Sequence, residues 1–282
     1  MTYRDICNRL TAVYETGEAR AIARLLLEEA FGLTLADICS GKDTQFSAAE
    51  EEKLNSFLQR LLQAEPIQYV LGSETFCGRR LSVRPGVLIP RPETEELVTR
   101  VLAFAKTCGN ARPFVVDVGT GSGCIILSLA REMADGIFLG IDISADAIAL
   151  ATENASRCGL ADKVKFAVAD GLDDFDEPET IDILVSNPPY IPTAECTTLD
   201  PRIRNFEPMN ALDGGREGLD FYDRLIGDAI NLLRPGGGVF FEIGDGQGTA
   251  LQKRLFDAGF DSIRIESDYA GHDRYASAVL PS

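Results

Sequence analysis

The sequence predicts an α/β protein, a doubly wound sheet of seven strands with a small helical bundle in front of it. Three observations carry that expectation. Residues 1 to about 72 place apolar side chains at helical spacing, strand and helix signals alternate from Pro113 onward, and the first of those strands runs into a glycine-rich turn. Alternating strand–helix units imply a parallel sheet covered on both faces. A length of 282 residues suits one large domain or a large and a small one.

The elements follow in order. Ile6, Leu10 and Val13 recur at helical spacing, and Ile22, Leu25 and Leu26 do so before Gly32, a helix stop. Ser47 and Glu50 form a capping-box pattern ahead of an apolar stripe of Leu54, Phe57, Leu58, Leu61 and Leu62, and this helix ends before Pro66. Residues 1–75 are therefore read as a helical bundle, and residues 76–92 as a short hairpin or extended connector. In the connector Leu81 and Val83 alternate with polar residues, and Pro85-Gly86 suits the central positions of a type II turn. A helix carrying Leu97, Val98, Val101 and Leu102 follows Pro90-Arg91-Pro92.

Residues 93–282 form the α/β domain. Its strands are expected at 114–118, 137–141, 164–168, 181–186, 238–243, 262–266 and 276–280, with helices such as 145–158 and 219–233 between most of them. The last two strands leave no room for a helix between them, so the final strand is expected to run antiparallel.

Composition narrows the function. There are 27 basic and 44 acidic residues, a net charge of −17. Residues 1–90 hold 10 basic and 12 acidic residues, so nearly all of the excess lies in the α/β domain. A chain this acidic should not bind nucleic acid through a broad basic surface. No apolar run reaches the ~18 residues of a membrane span, and the charged start MTYRDICNRL does not look like a signal peptide. Seven scattered cysteines without a C-x-x-C suggest reduced thiols in a cytoplasm. The single histidine, His272, excludes a site needing two, and no metal is expected; His272 itself is read as an exposed loop residue.

The glycine turn reads Asp117-Val118-Gly119-Thr120-Gly121-Ser122-Gly123. Strand, glycine loop, helix is the layout that lets a nucleotide-like cofactor approach the backbone. The spacing G-x-G-x-G differs from the G-x-G-x-x-G of dinucleotide binders, because position 124 is Cys. Asp142 ends the next strand, where a ribose diol needs an acceptor, and Asp170 ends the third, followed by Gly171. A tight turn with Asp residues as helix caps would explain the glycines alone, but not three carboxylates in register. The combination resembles S-adenosylmethionine-dependent methyltransferases. That resemblance implies the strand order 3-2-1-4-5-7-6. It places methionine and ribose along Gly119, Thr120, Gly121, Ser122 and Gly123, ribose hydroxyls on Asp142, and adenine beside Asp170 and Gly171, with Asp117 and Asn187 also expected among the cofactor-binding residues. The product would be S-adenosylhomocysteine.

The fourth strand leads into Asn187-Pro188-Pro189-Tyr190. Two prolines remove two N–H donors, so the backbone there offers carbonyls, and Asn187 adds a side-chain acceptor. Such an array suits a planar NH2 group: the Asn187 oxygen and the Pro188 carbonyl each take one N–H and align a weak nucleophile with the methyl–sulfur bond. Tyr190 is expected to stack on the flat group, and no strong base is required. The motif is shared by methyltransferases acting on adenine N6, cytosine N4 and glutamine amides, so it specifies the type of nitrogen only.

Three further stretches narrow the substrate: Leu88-Ile89-Pro90-Arg91-Pro92-Glu93-Thr94-Glu95, then Glu207-Pro208-Met209-Asn210-Ala211-Leu212-Asp213-Gly214-Gly215 leading to Gly218-Leu219-Asp220-Phe221-Tyr222, and Glu242-Ile243-Gly244 with Gln247-Gly248. With the helical N-terminus they resemble the release factor glutamine N5-methyltransferases. The resemblance implies methylation of the glutamine in the Gly-Gly-Gln loop of peptide chain release factors. The bundle would help dock that protein, and the glutamine would enter at residues 187–190. A sibling family acting on a large-subunit ribosomal protein ranks second. A nucleic-acid amino-group methyltransferase would need a basic face, and a non-catalytic adenosylmethionine-binding scaffold would not need an intact acceptor loop. A monomer is expected. One departure stands out: some relatives carry an aromatic residue after the third-strand Asp, where this chain has Gly171, so adenine stacking falls to another residue, with Phe175 a candidate. Arg91 is read as fixing the connector through a salt bridge.

Overall fold

The structure is a computed structural model that describes residues 1–173, 175, 178 and 180–281. It divides into two compact units: Met1–Ser73 with Asp200–Phe206, and Glu74–Leu199 with Glu207–Ser282.

The first unit holds helices α1 (Tyr3–Leu10), α2 (Thr16–Phe31), α3 (Leu35–Cys39), α4 (Ala48–Leu62) and α5 (Ile67–Leu71). Local chemistry starts and stops them. Thr2 with Asp5, Thr34 with Asp37 and Ser47 with Glu50 each close a reciprocal capping box, satisfying N–H groups that the first turn leaves free. Gly32 ends α2 in the left-handed conformation. Leu54, Leu58 and Leu61 of α4 are fully buried against Ile6, Leu10, Leu26 and Leu27. Each such side chain contributes about 1.5–3 kcal/mol of burial. Val13 departs from the helical reading. Helix α1 stops at Leu10, the chain turns, and Val13 is 41% exposed while Tyr14 enters the core and donates its hydroxyl to the Leu61 carbonyl at 2.9 Å. Asp200–Phe206 adds Arg202, which pairs with Glu18.

A hairpin of β1 (Ser73–Phe76) and β2 (Arg79–Ser82) follows, all of it but Ser73 in the second unit. Its turn is Cys77-Gly78, both at positive φ, the two-residue form whose twist suits antiparallel strands. The hairpin thus starts nearer the N-terminus than the 76–92 connector expected from the sequence. The Pro85-Gly86 turn also forms: Val87 donates its N–H to the Arg84 carbonyl, and Gly86 has φ +93°.

Next come α6 (Pro92–Ala105), β3 (Phe114–Val118), α7 (Cys124–Glu132), β4 (Ile137–Asp142), α8 (Ala145–Arg157), β5 (Val164–Val168) and β6 (Ile181–Ser186). The short helices α9 (Thr193–Cys196) and α10 (Pro201–Arg204, part of the first unit) follow. The chain ends with α11 (Asp220–Leu232), β7 (Leu233–Glu242), α12 (Gly248–Asp257), β8 (Asp261–Ser267) and β9 (Asp273–Val279). The sheet order is β5-β4-β3-β6-β7-β9-β8, which is the order 3-2-1-4-5-7-6. The first five strands are parallel, and β9 is antiparallel to both neighbours. The final strand therefore runs as expected.

Every residue of β6 is buried, as befits a central strand covered on both faces. Side chains alternate across the strands. Val116, Leu184, Val239 and Phe241 pack with Tyr222 and Leu225 of α11 and Leu251 of α12. Val115, Ile183, Val185 and Phe240 pack with Leu97 and Val101 of α6 and Ile126 of α7. Asp182 tolerates its central position because its carboxylate accepts hydrogen bonds from the Asn110 side chain and from the Phe114 N–H. Among the described residues no helix is long and apolar enough to cross a membrane.

Candidate active site

Register brings the functional loops together. Val118 pairs with Ile141 on one side and with Ser186 on the other, while Asp142 pairs with Val168. The four strands therefore end at one level, and their loops emerge side by side at the carboxyl edge, where open α/β sheets bind ligands. The Ser186 hydroxyl donates to the Val118 carbonyl at 2.6 Å, tying the two central ends together. The cavity above them measures about 440 Å³.

Gly119, Thr120, Gly121 and Ser122 line one wall of the cavity, Asp142, Asp170 and Gly171 another, and Asn187, Pro188 and Pro189 a third. The Asp142 carboxylate accepts the Gly121 and Ser144 N–H groups, each at 2.9 Å, which fixes its orientation. Two oxygens offer about four lone-pair positions, so capacity remains for two hydroxyl donors. Among the described residues the buried Ser122 hydroxyl has no oxygen or nitrogen hydrogen-bond partner, only the Cys124 thiol beside it. A hydroxyl without an oxygen or nitrogen partner beside a carboxylate with spare acceptor capacity fits a polar ligand carrying a diol.

Three of the sequence-predicted residues lie outside this lining. Asp117 is fully buried beneath the loop, where it accepts the Thr120 hydroxyl at 2.7 Å. Gly123 caps α7, and a Cβ there would press on Leu127 and Ala151, at 3.1 and 3.2 Å. The Tyr190 ring packs against the core that includes Tyr222, and burial pushes its hydroxyl up to about 12. Each is positioned to hold a loop from behind.

Burial raises the Asp117 carboxyl from 3.8 to about 7. The folded chain therefore holds a proton that the unfolded chain has released between about pH 4 and pH 7, and the contribution of Asp117 to stability is lost as pH rises through that window. Asp117→Asn should flatten that part of the profile. Melting temperatures of both proteins from pH 5 to pH 8 check this, and parallel curves would remove Asp117 from the account.

Other lining residues carry no local signal of their own. Val87, following the Pro85-Gly86 turn, packs on Ala147 and Leu150 beside the glycine loop. Ile143 and Phe221 are exposed and line the cavity, as does Arg224. Arg224 pairs with Asp170 and Asp173. A Cβ on Gly171 would lie 3.0 Å from its guanidinium carbon, so Arg224 occupies the space a side chain at 171 would need. Phe175 packs against the core and does not line the cavity. Phe221 lies in the Gly218–Tyr222 stretch that the sequence singled out without giving it a role.

The 187–190 loop and the stretches beside it are held by long-range contacts. The Arg91 guanidinium pairs with Glu207, whose side chain is only 2% exposed. The salt bridge expected of Arg91 thus has a buried partner in the Glu207–Gly215 stretch. The Asn187 amide donates to the Thr94 hydroxyl at 3.2 Å, and Thr94 donates to the buried Glu242 carboxylate at 2.6 Å. Gln247 donates to the carbonyls of Tyr190 and Gly218, at 2.9 and 3.1 Å, and accepts the Gly244 N–H. His272 is exposed in the β8–β9 loop with Nδ1 3.1 Å from Asp245.

Comparison with known proteins follows the same lines. Residues 113–263 match the family model described as a methyltransferase domain, and residues 3–72 match the PrmC N-terminal domain. The release factor glutamine methyltransferase of Bacteroides thetaiotaomicron is 37% identical over 96% of this chain and 99% of its own. The protein of the same name from Thermodesulfovibrio yellowstonii is 38% identical over 83% of each. Among solved structures, a methyltransferase from Pyrococcus furiosus aligns with a TM-score of 0.52 at 18% identity, over 72% of this chain and 89% of that one, a likeness of fold. Sheet order, glycine loop, acceptor loop and these identities agree: the chain belongs to the release factor glutamine methyltransferase family.

Proposed function

We propose that this chain transfers a methyl group from S-adenosylmethionine to the side-chain amide nitrogen of the glutamine in the Gly-Gly-Gln loop of peptide chain release factors. The products are N5-methylglutamine and S-adenosylhomocysteine. The observation that carries the reading is one cavity whose walls join the glycine loop and Asp142 to Asn187 and Pro188. When bound, S-adenosylmethionine supplies an electrophilic methyl group on a sulfonium.

The chain's own residues do the rest. Gly119, Thr120, Gly121 and Ser122 give a close backbone approach, and Asp142 accepts the ribose hydroxyls. Ile143, Phe221 and Arg224 offer the flat base a surface in place of an aromatic residue at 171. Asn187 Oδ1 and the Pro188 carbonyl accept the two amide N–H groups. That contact strengthens as the nitrogen gains positive charge, which is differential binding of the transition state. An amide nitrogen is a weak base, and its proton becomes acidic once a methyl group is added, so solvent suffices to take it. Docking of the release factor on the helical unit, action as a monomer in the cytoplasm, and the absence of nucleic-acid binding belong to the same reading.

Methyl-labelled S-adenosylmethionine and unmodified release factor provide the test. The expected result is one methyl group on the glutamine of the Gly-Gly-Gln loop, located by mass spectrometry. Label on nucleic acid or on a ribosomal protein instead would overturn the reading.

A further inference from the structure

We propose that Thr94 and Glu242 form a one-way hydrogen-bond relay that fixes which end of the Asn187 amide faces the acceptor nitrogen. The inference rests on the glutamine-methyltransferase reading and adds two positioning residues to it.

The argument is a donor count. A threonine hydroxyl has one proton to give and two lone pairs. Its oxygen lies 2.6 Å from Glu242 Oε2, a short separation typical of a hydroxyl donating to a carboxylate. An ionised Glu242 has no proton to offer, so the Thr94 proton goes to it, and Thr94 can then only accept from Asn187. The Asn187 atom 3.2 Å away must be the NH2 group, which leaves Oδ1 for the cavity. Without that constraint the amide could rotate by half a turn and present N–H to N–H, an arrangement that repels the substrate amide.

Three separate segments build the relay: Thr94 from α6, Glu242 from the end of β7, and Asn187 after β6. Glu242 is 2% exposed, and the Tyr222 hydroxyl is already committed to its backbone carbonyl at 2.7 Å. The groups facing its carboxylate are Thr94 and Glu93 from α6, Arg274 and Tyr275 from β9, Tyr190 and Asn187 from the acceptor loop, and Tyr222 from α11. Burial outweighs these partners and lifts the Glu242 carboxyl to about 7. A protonated Glu242 can donate to Thr94 and release its hydroxyl proton toward Asn187. The relay then loses its direction, so methyl transfer should weaken as pH falls through that value.

The test uses the full chain with S-adenosylmethionine and unmodified release factor, comparing wild type with Thr94→Val, Thr94→Ser and Glu242→Gln from pH 6 to pH 9. Thr94→Val should lower kcat about tenfold to a hundredfold, the scale of a misplaced reacting group. Calorimetric affinity for S-adenosylmethionine should change little. Thr94→Ser, which keeps the hydroxyl, should recover most of the loss. Wild type should show an acid limb near pH 7 that Glu242→Gln lacks, being slow throughout. The relay is overturned by wild-type kcat in Thr94→Val, by Thr94→Ser as slow as Thr94→Val, or by an unchanged acid limb in Glu242→Gln. A wild-type protein that labels another acceptor defeats the functional reading separately, and the same variants then test the relay on that acceptor.

Discussion

Asn187→Ala should lower the rate of methyl transfer by about a thousandfold, the scale seen when one preorganised acceptor or donor of a transition state is removed. Affinity for S-adenosylmethionine should stay within about threefold, because the contacts assigned to the cofactor are centred on the glycine loop and Asp142. Truncation removes one of two acceptors for the substrate N–H groups and also leaves Thr94 Oγ1 without its donor. The remaining Pro188 carbonyl can hold only one N–H, so the acceptor amide is free to turn about that contact. Single-turnover transfer and a calorimetric titration separate the two quantities. A weakened affinity with unchanged turnover at saturation would contradict the role.

Asn187→Asp sharpens the same expectation. An aspartate keeps an oxygen acceptor, yet it brings a second carboxylate toward Thr94 and Glu242. One hydroxyl proton cannot serve both, and like charges in a buried site disfavour ionisation. This variant should also be slow. A fast Asn187→Asp enzyme would mean that any acceptor suffices and that orientation does not matter.

The centre of the sheet was legible because β3 and β6 are buried along nearly their whole length and read as short apolar runs bounded by glycine, proline or carboxylate, while the edge strands β5 and β8 are largely exposed. That the glycine loop and Asp142 would line one cavity was legible because both sit at the carboxyl ends of adjacent parallel strands. Local pattern failed where the deciding contact is long-range. Thr94 and Glu242 are 148 residues apart, and Arg91 and Glu207 are 116 apart. No periodicity links them. Arg224 meets Gly171 across 53 positions, and only the missing side chain at 171 hinted that something else fills that space. Tyr190 was given a stacking role from its motif, but its side-chain direction is set by Gly244 and Tyr222 behind it, which the motif does not contain. Val13 failed for a simpler reason: the chain bends after Leu10 at Thr11-Ala12, where no glycine or proline announces it, whereas the hairpin turn does carry Gly78, one residue after a cysteine at positive φ.

The charge of −17 takes on a narrower meaning once the site is described. Two of its carboxylates, Asp117 and Glu242, are buried and raised to about 7. Others are paired with arginines around the cavity, as Glu207 is with Arg91 and Asp170 with Arg224. The acidity of the catalytic unit therefore includes loop fasteners as well as surface charge.

Gly218→Ala should be the most damaging conservative change outside the cavity lining. Gly218 has φ +72°, and a Cβ there would lie 2.2 Å from the Tyr190 carbonyl oxygen and 2.7 Å from Gln247 Nε2. Left-handed backbone costs a residue with a side chain about 1 kcal/mol, and forced displacement of packed groups about 1–3 kcal/mol more. The atom met first is backbone, which cannot rotate away. The Tyr190 segment must move, and the two-pronged Gln247 bridge to Tyr190 and Gly218 must open. A loss of about 3 kcal/mol corresponds to a fall in melting temperature of roughly 10 °C for a unit of this size. Turnover should fall with it, because the Pro188 carbonyl shifts with its neighbours, while cofactor affinity stays close to wild type. Gly227→Ala is the control. Gly227 lies within α11 with nothing within 4 Å of its Cβ position and no positive φ, so alanine there should stabilise by about 0.5–1 kcal/mol. If the two variants melt together, close packing of Gly218 on the acceptor loop is not what holds that loop in place.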